Sequence, residues 1–396
     1  MKIVGIISEY NPFHKGHAYQ IEKTKEDTGA THVVALMSGN FVQRGMPSII
    51  DKYERAEMAL LGGADLVLEL PSVYALSSAE FFAEGGVRIL DALKGIDILS
   101  FGSEEGELKD LYTLADFLTK EPAAYQDFLR KELDSGKSYA TARNIALKKF
   151  LPEVDETIIQ SPNNILGIEY LKALIRLDSK IEPYTLKRKG KGYHDLTLTE
   201  SHFASATALR KGIMEEESIE EYIPKAIFSY LTHLKDEHYS FTIPEDFKDL
   251  LLYRLMTDGA KLNTLPEASE GLDNRVMNHL HLLRERSLEE FIDTIKTKRY
   301  ARTRISRLLF QFLLSFDMED IETLRRQTPP SVKILAVNDK GREILKSLRK
   351  DKEIKIIHNF EKRLDPFQSI DQKASGIYAL KNNSYDATRD FTGNKK

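Results

Sequence analysis

Residues 2–17 read Lys-Ile-Val-Gly-Ile-Ile-Ser-Glu-Tyr-Asn-Pro-Phe-His-Lys-Gly-His, and this stretch decides the fold. An apolar run, Ile3 to Ile7, has strand character. A polar turn containing Pro12 follows, then His14 and His17 spaced as His-x-Gly-His at the start of a helix predicted from Lys15. A strand that runs through a loop into a helix start is a natural anion site: the first backbone N–H groups of the helix have no partner within it, and the helix dipole is positive there. Gly16 lets a ligand approach the backbone closely. Each imidazole can donate to a phosphate oxygen, either as imidazolium or as the neutral N–H tautomer. An isolated His is usually a satisfied surface residue; the pair, with Gly between and a strand before it, points to a nucleotide site.

Strand and helix signals alternate outward from this stretch. Strands are predicted at Lys2–Ile7, Thr31–Met37, Asp65–Leu70, Asp97–Phe101 and Pro183–Lys187. Helices are predicted at Lys15–Asp27, Asp51–Leu61, Ala79–Leu93, Asn163–Leu177 and Ala206–Met214. Asp51 and Glu54 have capping-box spacing, and Gly62-Gly63 reads as the stop of that helix. Apolar strands joined by amphipathic helices predict a parallel sheet, whose ligands sit at the carboxyl ends of the strands. Residues 105–160 read as a helical insertion, and from Ser218 the chain is mostly helical, with apolar residues recurring at helical spacing around Glu245–Asp258 and Leu280–Lys296. Residues 331–358 predict a small strand–helix–strand element beside the helical region, and the polar tail from about Lys381 is expected to fray.

Composition narrows the function. The 396 residues suffice for two or three domains and a substantial core, and the hydrophobic share of 41% and charged share of 30% are those of an ordinary soluble protein. A formal net charge of -4 argues against a uniformly basic nucleic-acid binder, yet permits a local basic surface. With no Cys, thiol nucleophiles, disulfides and Cys-ligated zinc are excluded. The N-terminus turns polar too soon for a signal peptide, and no apolar run approaches membrane-spanning length, so a cytoplasmic protein without membrane contact is expected. The oligomeric state is left open, a homo-oligomer included.

Further candidates lie after the strands. Gln43 and Arg44, in the loop Ser38–Pro47, are ligand contacts or solvated surface residues. Gly102 is a point of backbone contact or a plain turn glycine. Glu104, Glu105 and Glu107 read as a solvated acidic turn and not as a metal site. Asn163 is a helix N-cap or a contact to adenine or ribose. Lys187-Arg188-Lys189-Gly190-Lys191-Gly192 combines four basic residues with two glycines and favours polyphosphate. Tyr193-His194-Asp195 continues that loop. Ser205, Thr207 and Arg210 open a helix as a second anion cradle. Much later, Lys296 to Arg307 holds six basic residues and no acid. Read as one helix, it places Lys298, Arg299 and Arg302 on a face suited to a nucleic-acid backbone, with Arg304 and Arg307 nearby and Tyr300 free to stack on a base.

The first motif in its strand–loop–helix setting resembles the HxGH nucleotidyltransferase superfamily. The segment from Ala204 to Arg210 resembles that superfamily's Ile-Ser-Ser-Thr-x-Ile-Arg motif: Ser205, Thr207 and Arg210 match it, while Ala204, Ala206 and Leu209 depart from it. The extended first motif, the Ser-Gly-Asn-Phe-Val-Gln-Arg-Gly loop, Ser161-Pro162-Asn163-Asn164 and the basic run at 299–307 together look like the bacterial tRNA(Met) cytidine acetate ligase family over nearly the whole chain. The resemblance implies an α/β fold, with a Rossmann-like nucleotidyltransferase domain at 1–217 and a helical tRNA-binding region at 218–396. It implies that acetate is activated by ATP as acetyl-adenylate, and that the wobble cytidine of elongator tRNA(Met) is acetylated on N4.

Carried over by position, the implied ATP contacts are Ile7, Ser8, Glu9, Tyr10, Asn11, Pro12 and Phe13, then His14, Lys15, Gly16, His17 and Gln20, and finally Gly102, Asn163 and Arg188. His14, Lys15 and His17 would act on the α-phosphate, and Lys298, Arg299, Arg302, Arg304 and Arg307 would hold tRNA. Mg²⁺ is expected to arrive with ATP, since no carboxylate cage is evident. Two other readings fit parts of the sequence: a small-molecule cofactor adenylyltransferase, and a non-catalytic RNA-binding module on a degenerate nucleotide fold.

Overall fold

The structure, a computed structural model, describes residues 1–137, 139–188, 204–318, 320–348 and 352–393. Among the described residues nine strands, β1 (Ile3–Ser8), β2 (His32–Ser38), β3 (Phe41–Val42), β4 (Met46–Pro47), β5 (Leu66–Leu70), β6 (Ile98–Ser103), β7 (Glu182–Lys187), β8 (Ser331–Val337) and β9 (Lys355–Ile357), form two sheets. The large sheet runs β7-β6-β1-β2-β5-β8-β9, and β3 and β4 form a separate hairpin. From β7 to β5 every pairing is parallel. The central strands are buried throughout, as expected of a sheet covered on both faces by crossover helices. The order reverses at β1: one crossover leads to β2 on one side, and a later one returns to β6 on the other. The carboxyl end of β1 is therefore the topological switch point, where α/β sheets form their binding crevice.

All five strands and five helices predicted in the first half are present within one or two residues of their expected ends. The helix Lys52–Leu61 is capped by Asp51, whose carboxylate accepts the N–H groups of Tyr53 at 2.8 Å and Glu54 at 3.2 Å. The capping box is only half made. The Asp51 N–H donates to the Tyr239 hydroxyl, and Glu54 receives Tyr230 and Arg389 from the C-terminal part of the chain.

Three expectations for the second half are corrected. The small α/β element does not stand beside the helical region: β8 pairs antiparallel with β5, and β9 parallel with β8, so both extend the large sheet. The apolar run of β8 covers what would otherwise be an open edge on a wholly buried strand. The tail is not frayed through Gly393, since Asp390 is fully buried against Lys52 and Lys333. The helix expected at Leu280–Lys296 is two, Leu280–Glu285 and Leu288–Ile295, because Ser287 and Glu290 close a reciprocal capping box between them.

The β3–β4 hairpin carries Gln43 to Gly45 at its tip. Gly45 has φ +79, and a Cβ there would overlap the backbone nitrogen of Arg307 in the helix Arg302–Leu313. Gly45→Ala meets both the left-handed backbone penalty and this overlap. It is expected to destabilise the protein by about 2 kcal/mol, read as a lowered thermal midpoint.

Candidate active site

The carboxyl ends of β1 and β2 are held together by Arg55, which is fully buried. Its guanidinium donates to the carbonyls of Glu9, Ile50, Ser38 and Gly39. It thus fixes the first turn against the start of the hairpin loop, and nothing in the spacing of the sequence marks it for that task. Asn11 is pinned on two sides: Oδ1 accepts the Ile49 N–H at 2.9 Å, and its carbonyl accepts from Arg210 at 2.7 Å. Tyr10 sits at φ +46, with its ring 4.8 Å from those of Phe13 and His17. Among the described residues, Ser8 Oγ, Tyr10 Oη and Asn11 Nδ2 are buried in this turn without a hydrogen-bond partner.

His14 is the N-cap of the helix Lys15–Thr28, and its Nδ1 accepts the Gly16 N–H at 3.1 Å. His17 Nδ1 accepts the His14 N–H at 3.2 Å. With both δ nitrogens acting as acceptors, each ring carries its proton on Nε2. The rings stack, 3.7 Å between centroids and 18° between planes. Burial, reinforced by Arg188 and Arg210, pushes the His14 pKa down to about 3. Burial, His14 itself and Arg188 push His17 well below the ordinary value. Of the two modes by which the pair can donate to phosphate, the structure selects the neutral one.

These residues border a cavity of about 330 Å³, within the usual range for a small-ligand site. Of the residues implied as ATP contacts, Ile7, Ser8, Glu9, Tyr10 and Asn11 line it, as do His14, Gly16, His17 and Gln20. Gly102, Asn163, Arg188 and Ser205 line it too, and so do Gln43 and Arg44. Arg44, Lys187 and Arg188, with the two Nε2–H groups, make it an anion site. Apolar walls from Phe82, Phe101, Leu166, Tyr170 and Leu186 complete it. As sequence, these apolar residues are indistinguishable from core.

Other expected contacts lie elsewhere. Pro12 and Phe13 are buried behind the turn, Phe13 packing on Gly62, and Lys15 is not among the lining residues. Thr207 Oγ1 receives Arg44 at 2.9 Å and Arg210 at 3.1 Å, and Arg210 reaches the Asn11 carbonyl. Residues three apart share a helix face, so Thr207 and Arg210 together brace the first turn from behind instead of lining the cavity. Ser205 caps its helix through the Ala208 N–H at 3.1 Å.

Glu104 is not a solvated acid. It accepts from Asn163 Nδ2 at 2.6 Å and from the Asn164 N–H at 2.9 Å, at the positive end of the helix Pro162–Arg176. Asn163 is therefore not the N-cap; Ser161 holds that position. Lys189, Gly190, Lys191 and Gly192, with Tyr193, His194 and Asp195, lie outside the described residues.

The basic run departs most from expectation. The helix starts only at Arg302, so Lys298 and Arg299 precede it and cannot share a helical face with Arg302. Tyr300 is 8% exposed and donates its hydroxyl to the Glu270 carbonyl, so it is unavailable for stacking on a base. Acids from outside the run meet the arginines: Arg302 pairs with Glu289 and Asp293, Arg299 and Arg304 with Glu270, and Arg307 with Glu267 at 2.8 Å.

Known proteins resemble this chain in sequence and in fold. The HIGH Nucleotidyl Transferase model matches residues 1–391. The tRNA(Met) cytidine acetate ligase of Clostridium novyi (strain NT) is 42% identical over 396 residues, 99% of this chain and 98% of that one. This chain belongs to the tRNA(Met) cytidine acetate ligase family. The corresponding ligase of Clostridium perfringens (strain SM101 / Type A) is 40% identical over 403 residues, 99% of this chain and 98% of that one. Among solved structures, apo TmcAL of Thermotoga maritima superposes with a TM-score of 0.91 at 32% identity, covering 99% of this chain and 98% of that one. The same protein bound with alpha-thio ATP gives 0.87 at 32% identity, covering 96% and 95%.

Proposed function

We propose that this chain activates acetate with ATP, releasing pyrophosphate, and passes the acetyl group from acetyl-adenylate to N4 of the wobble cytidine of elongator tRNA(Met). The observation that carries the reading is the stacked His14–His17 pair, its Nδ1 atoms engaged by backbone N–H groups, bordering a cavity shared with Arg44, Lys187 and Arg188 at a helix N-terminus. A carboxylate is a poor acylating agent, and adenylation gives it a good leaving group. Attack of an acetate oxygen on the α-phosphorus expels pyrophosphate, and charge builds on the phosphate oxygens. His14 and His17 meet that charge by hydrogen bonding, and Arg188 and Arg44 by their own charge. Mg²⁺ travels with the triphosphate, held by phosphate oxygens and water. That a relative was crystallised with alpha-thio ATP supports a nucleotide in this cavity.

Residues 1–217 carry the nucleotide chemistry in this reading, and residues 218–396 present tRNA. Lys298 and Arg299, whose side chain is 60% exposed and reaches Glu270 only at 3.7 Å, are the phosphate contacts of choice, with Arg302 held more closely by Glu289 and Asp293. Arg304 and Arg307 brace residues 267–270. Replacing Lys298 and Arg299 by Ala is expected to weaken tRNA binding and to flatten its log–log salt slope by about 0.7–0.9 for each phosphate that is no longer neutralised. An unchanged slope would remove that surface from the RNA interface. No helix among the described residues is long and apolar enough to cross a membrane.

The deciding experiment is mass spectrometry of bulk tRNA after incubation with ATP and isotopically labelled acetate. Labelled N4-acetylcytidine in elongator tRNA(Met) is expected. Failure of acetate to drive ATP–pyrophosphate exchange, with a phosphorylated small molecule driving it instead, would favour a cofactor adenylyltransferase.

A further inference from the structure

The cavity is built for anions, yet Glu9 lines it. A carboxylate beside a triphosphate opposes ATP binding by simple Coulomb repulsion, so its presence calls for a separate task. Glu9 is held in place twice: its carbonyl is clamped by Arg55, and Oε1 accepts the Gln43 N–H at 3.0 Å. Its side chain is partly exposed, and it makes no ion pair among the described residues. The other acid lining the cavity, Glu104, spends its oxygens on the start of the helix Pro162–Arg176.

The second half of the reaction needs a proton acceptor. The exocyclic amine of cytosine is a weak nucleophile, its lone pair delocalised into the ring, and it must lose a proton as the new N–C bond forms. His14 and His17 cannot take that proton, because both Nδ1 lone pairs are engaged by backbone N–H groups and both ε nitrogens already carry hydrogen. Arg44, Lys187 and Arg188 are cations. A carboxylate is also the natural acceptor for the cytosine N4 amine in base recognition.

We propose that Glu9 is a catalytic residue of acetyl transfer, with Oε2 receiving the cytidine N4 hydrogen bond and then its proton. The N4 lone pair attacks the acetyl carbonyl carbon and the N–C bond forms. The anhydride C–O bond breaks and AMP leaves with its electron pair. One N4 proton passes to Glu9 and from there to solvent. This assignment rests on the acetyl-transfer reading above. The titratable and charged groups around Glu9 are Arg55 from the helix Lys52–Leu61, Tyr170 from the helix Pro162–Arg176, and Tyr10, His14, His17, Tyr19, Arg44, Glu104, Lys187 and Arg188 bordering the cavity.

The test is Glu9→Gln in the full chain, followed through two reactions. Single-turnover transfer from preformed enzyme-bound acetyl-adenylate to tRNA is expected to fall about 100-fold and to lose its rise with pH. Acetate-dependent ATP–pyrophosphate exchange is expected to fall at least tenfold less. Hydroxylamine, a nucleophile that needs no base, should still be converted to acetohydroxamate by the variant. Glu9→Asp should recover part of the transfer rate together with its pH rise. Equal losses in exchange and transfer, or loss of acetohydroxamate formation, would place Glu9 in adenylation and overturn the assignment, as would transfer with an unchanged rate and pH profile. Absence of label transfer by the unaltered protein would instead overturn the reading on which the assignment rests.

Discussion

His17→Ala is expected to lower acetate-dependent ATP–pyrophosphate exchange by about 10³-fold while leaving tRNA affinity within about twofold. The size follows from what the ring supplies: an Nε2–H donor preorganised by the Nδ1 bond to the His14 N–H and by stacking on His14. Removing one such donor from a developing oxyanion costs roughly 10²–10³ in rate, and here the stacked partner and the support of the His14 backbone go with it. The basic residues proposed for RNA lie in another part of the chain, so loss of tRNA binding in parallel would refute this division of labour. A pH signature goes with it. The His14 pKa is pushed down to about 3 and that of His17 is lowered as well, so kcat/KM for ATP is expected to show no imidazole limb near pH 6.5. A limb there would mean that imidazolium is the working form. For stability the sign is fixed. A His whose folded value lies below its unfolded value of about 6.5 contributes fully above pH 6.5. That contribution declines as the pH falls, because the unfolded chain then binds the proton that the folded chain refuses.

Whether a feature was readable in the sequence followed the range of the interactions behind it. β1, β2 and β5 were legible because burial on both faces makes a parallel strand a nearly unbroken apolar run, bounded by the turn chemistry of segments such as Gly62-Gly63. The His-x-Gly-His site was legible because all its parts lie within four residues and its geometry is local: an N-cap and a first turn. Ser287-Leu288-Glu289-Glu290 carried a local signal, the capping box that breaks the helix expected at Leu280–Lys296, and the unbroken apolar spacing overrode it. What misled was partnership with residues outside the segment being read. The run at 296–307 contains no acid, which suggested a free basic face, but Glu267, Glu270, Glu289 and Asp293 fold onto it. Tyr300 looks like a stacking residue until Glu270 claims its hydroxyl. Thr207 and Arg210 match a phosphate motif, while the structure turns them toward Asn11 and Arg44. Arg55, which holds the site's two strand ends, has no signature at all, because its partners are backbone carbonyls supplied by the fold.

Asp390→Asn is expected to destabilise the protein by about 3–5 kcal/mol, although it changes one residue in a tail whose sequence reads as frayed. Asp390 is fully buried and stands between two equally buried cations, 2.7 Å from Lys52 Nζ and in direct contact with Lys333 Nζ, while the Tyr53 hydroxyl donates to it at 2.8 Å. Lys52 is shared with Glu69 at 2.8 Å, so it keeps one partner when Asp390 is neutralised; Lys333 keeps only polar neighbours. Burial alone would push the Asp390 pKa up, but the two ammonium groups outweigh it and hold it below the ordinary carboxylate range. Its stabilising contribution is therefore complete above its unfolded pKa, near 3.9, and is lost only as the pH drops below that, through the depressed folded value. At pH 7 the variant should melt about 5 °C lower than the unaltered chain, and the difference between the two should shrink below pH 4, where the unaltered chain begins to lose the same interaction. An unchanged melting point at pH 7 would mean that the cluster is no better than the neutral packing that could replace it. The effect should also reach the active site. Glu69 packs against Gly39, and the Lys52 N–H donates to Asn40 Oδ1 at 2.8 Å, so the base of the loop that presents Gln43 and Arg44 rests on this cluster. A rise in KM for ATP in Asp390→Asn, well below the melting transition, would show that the chain's last turn helps to shape a cavity opened by its first strand.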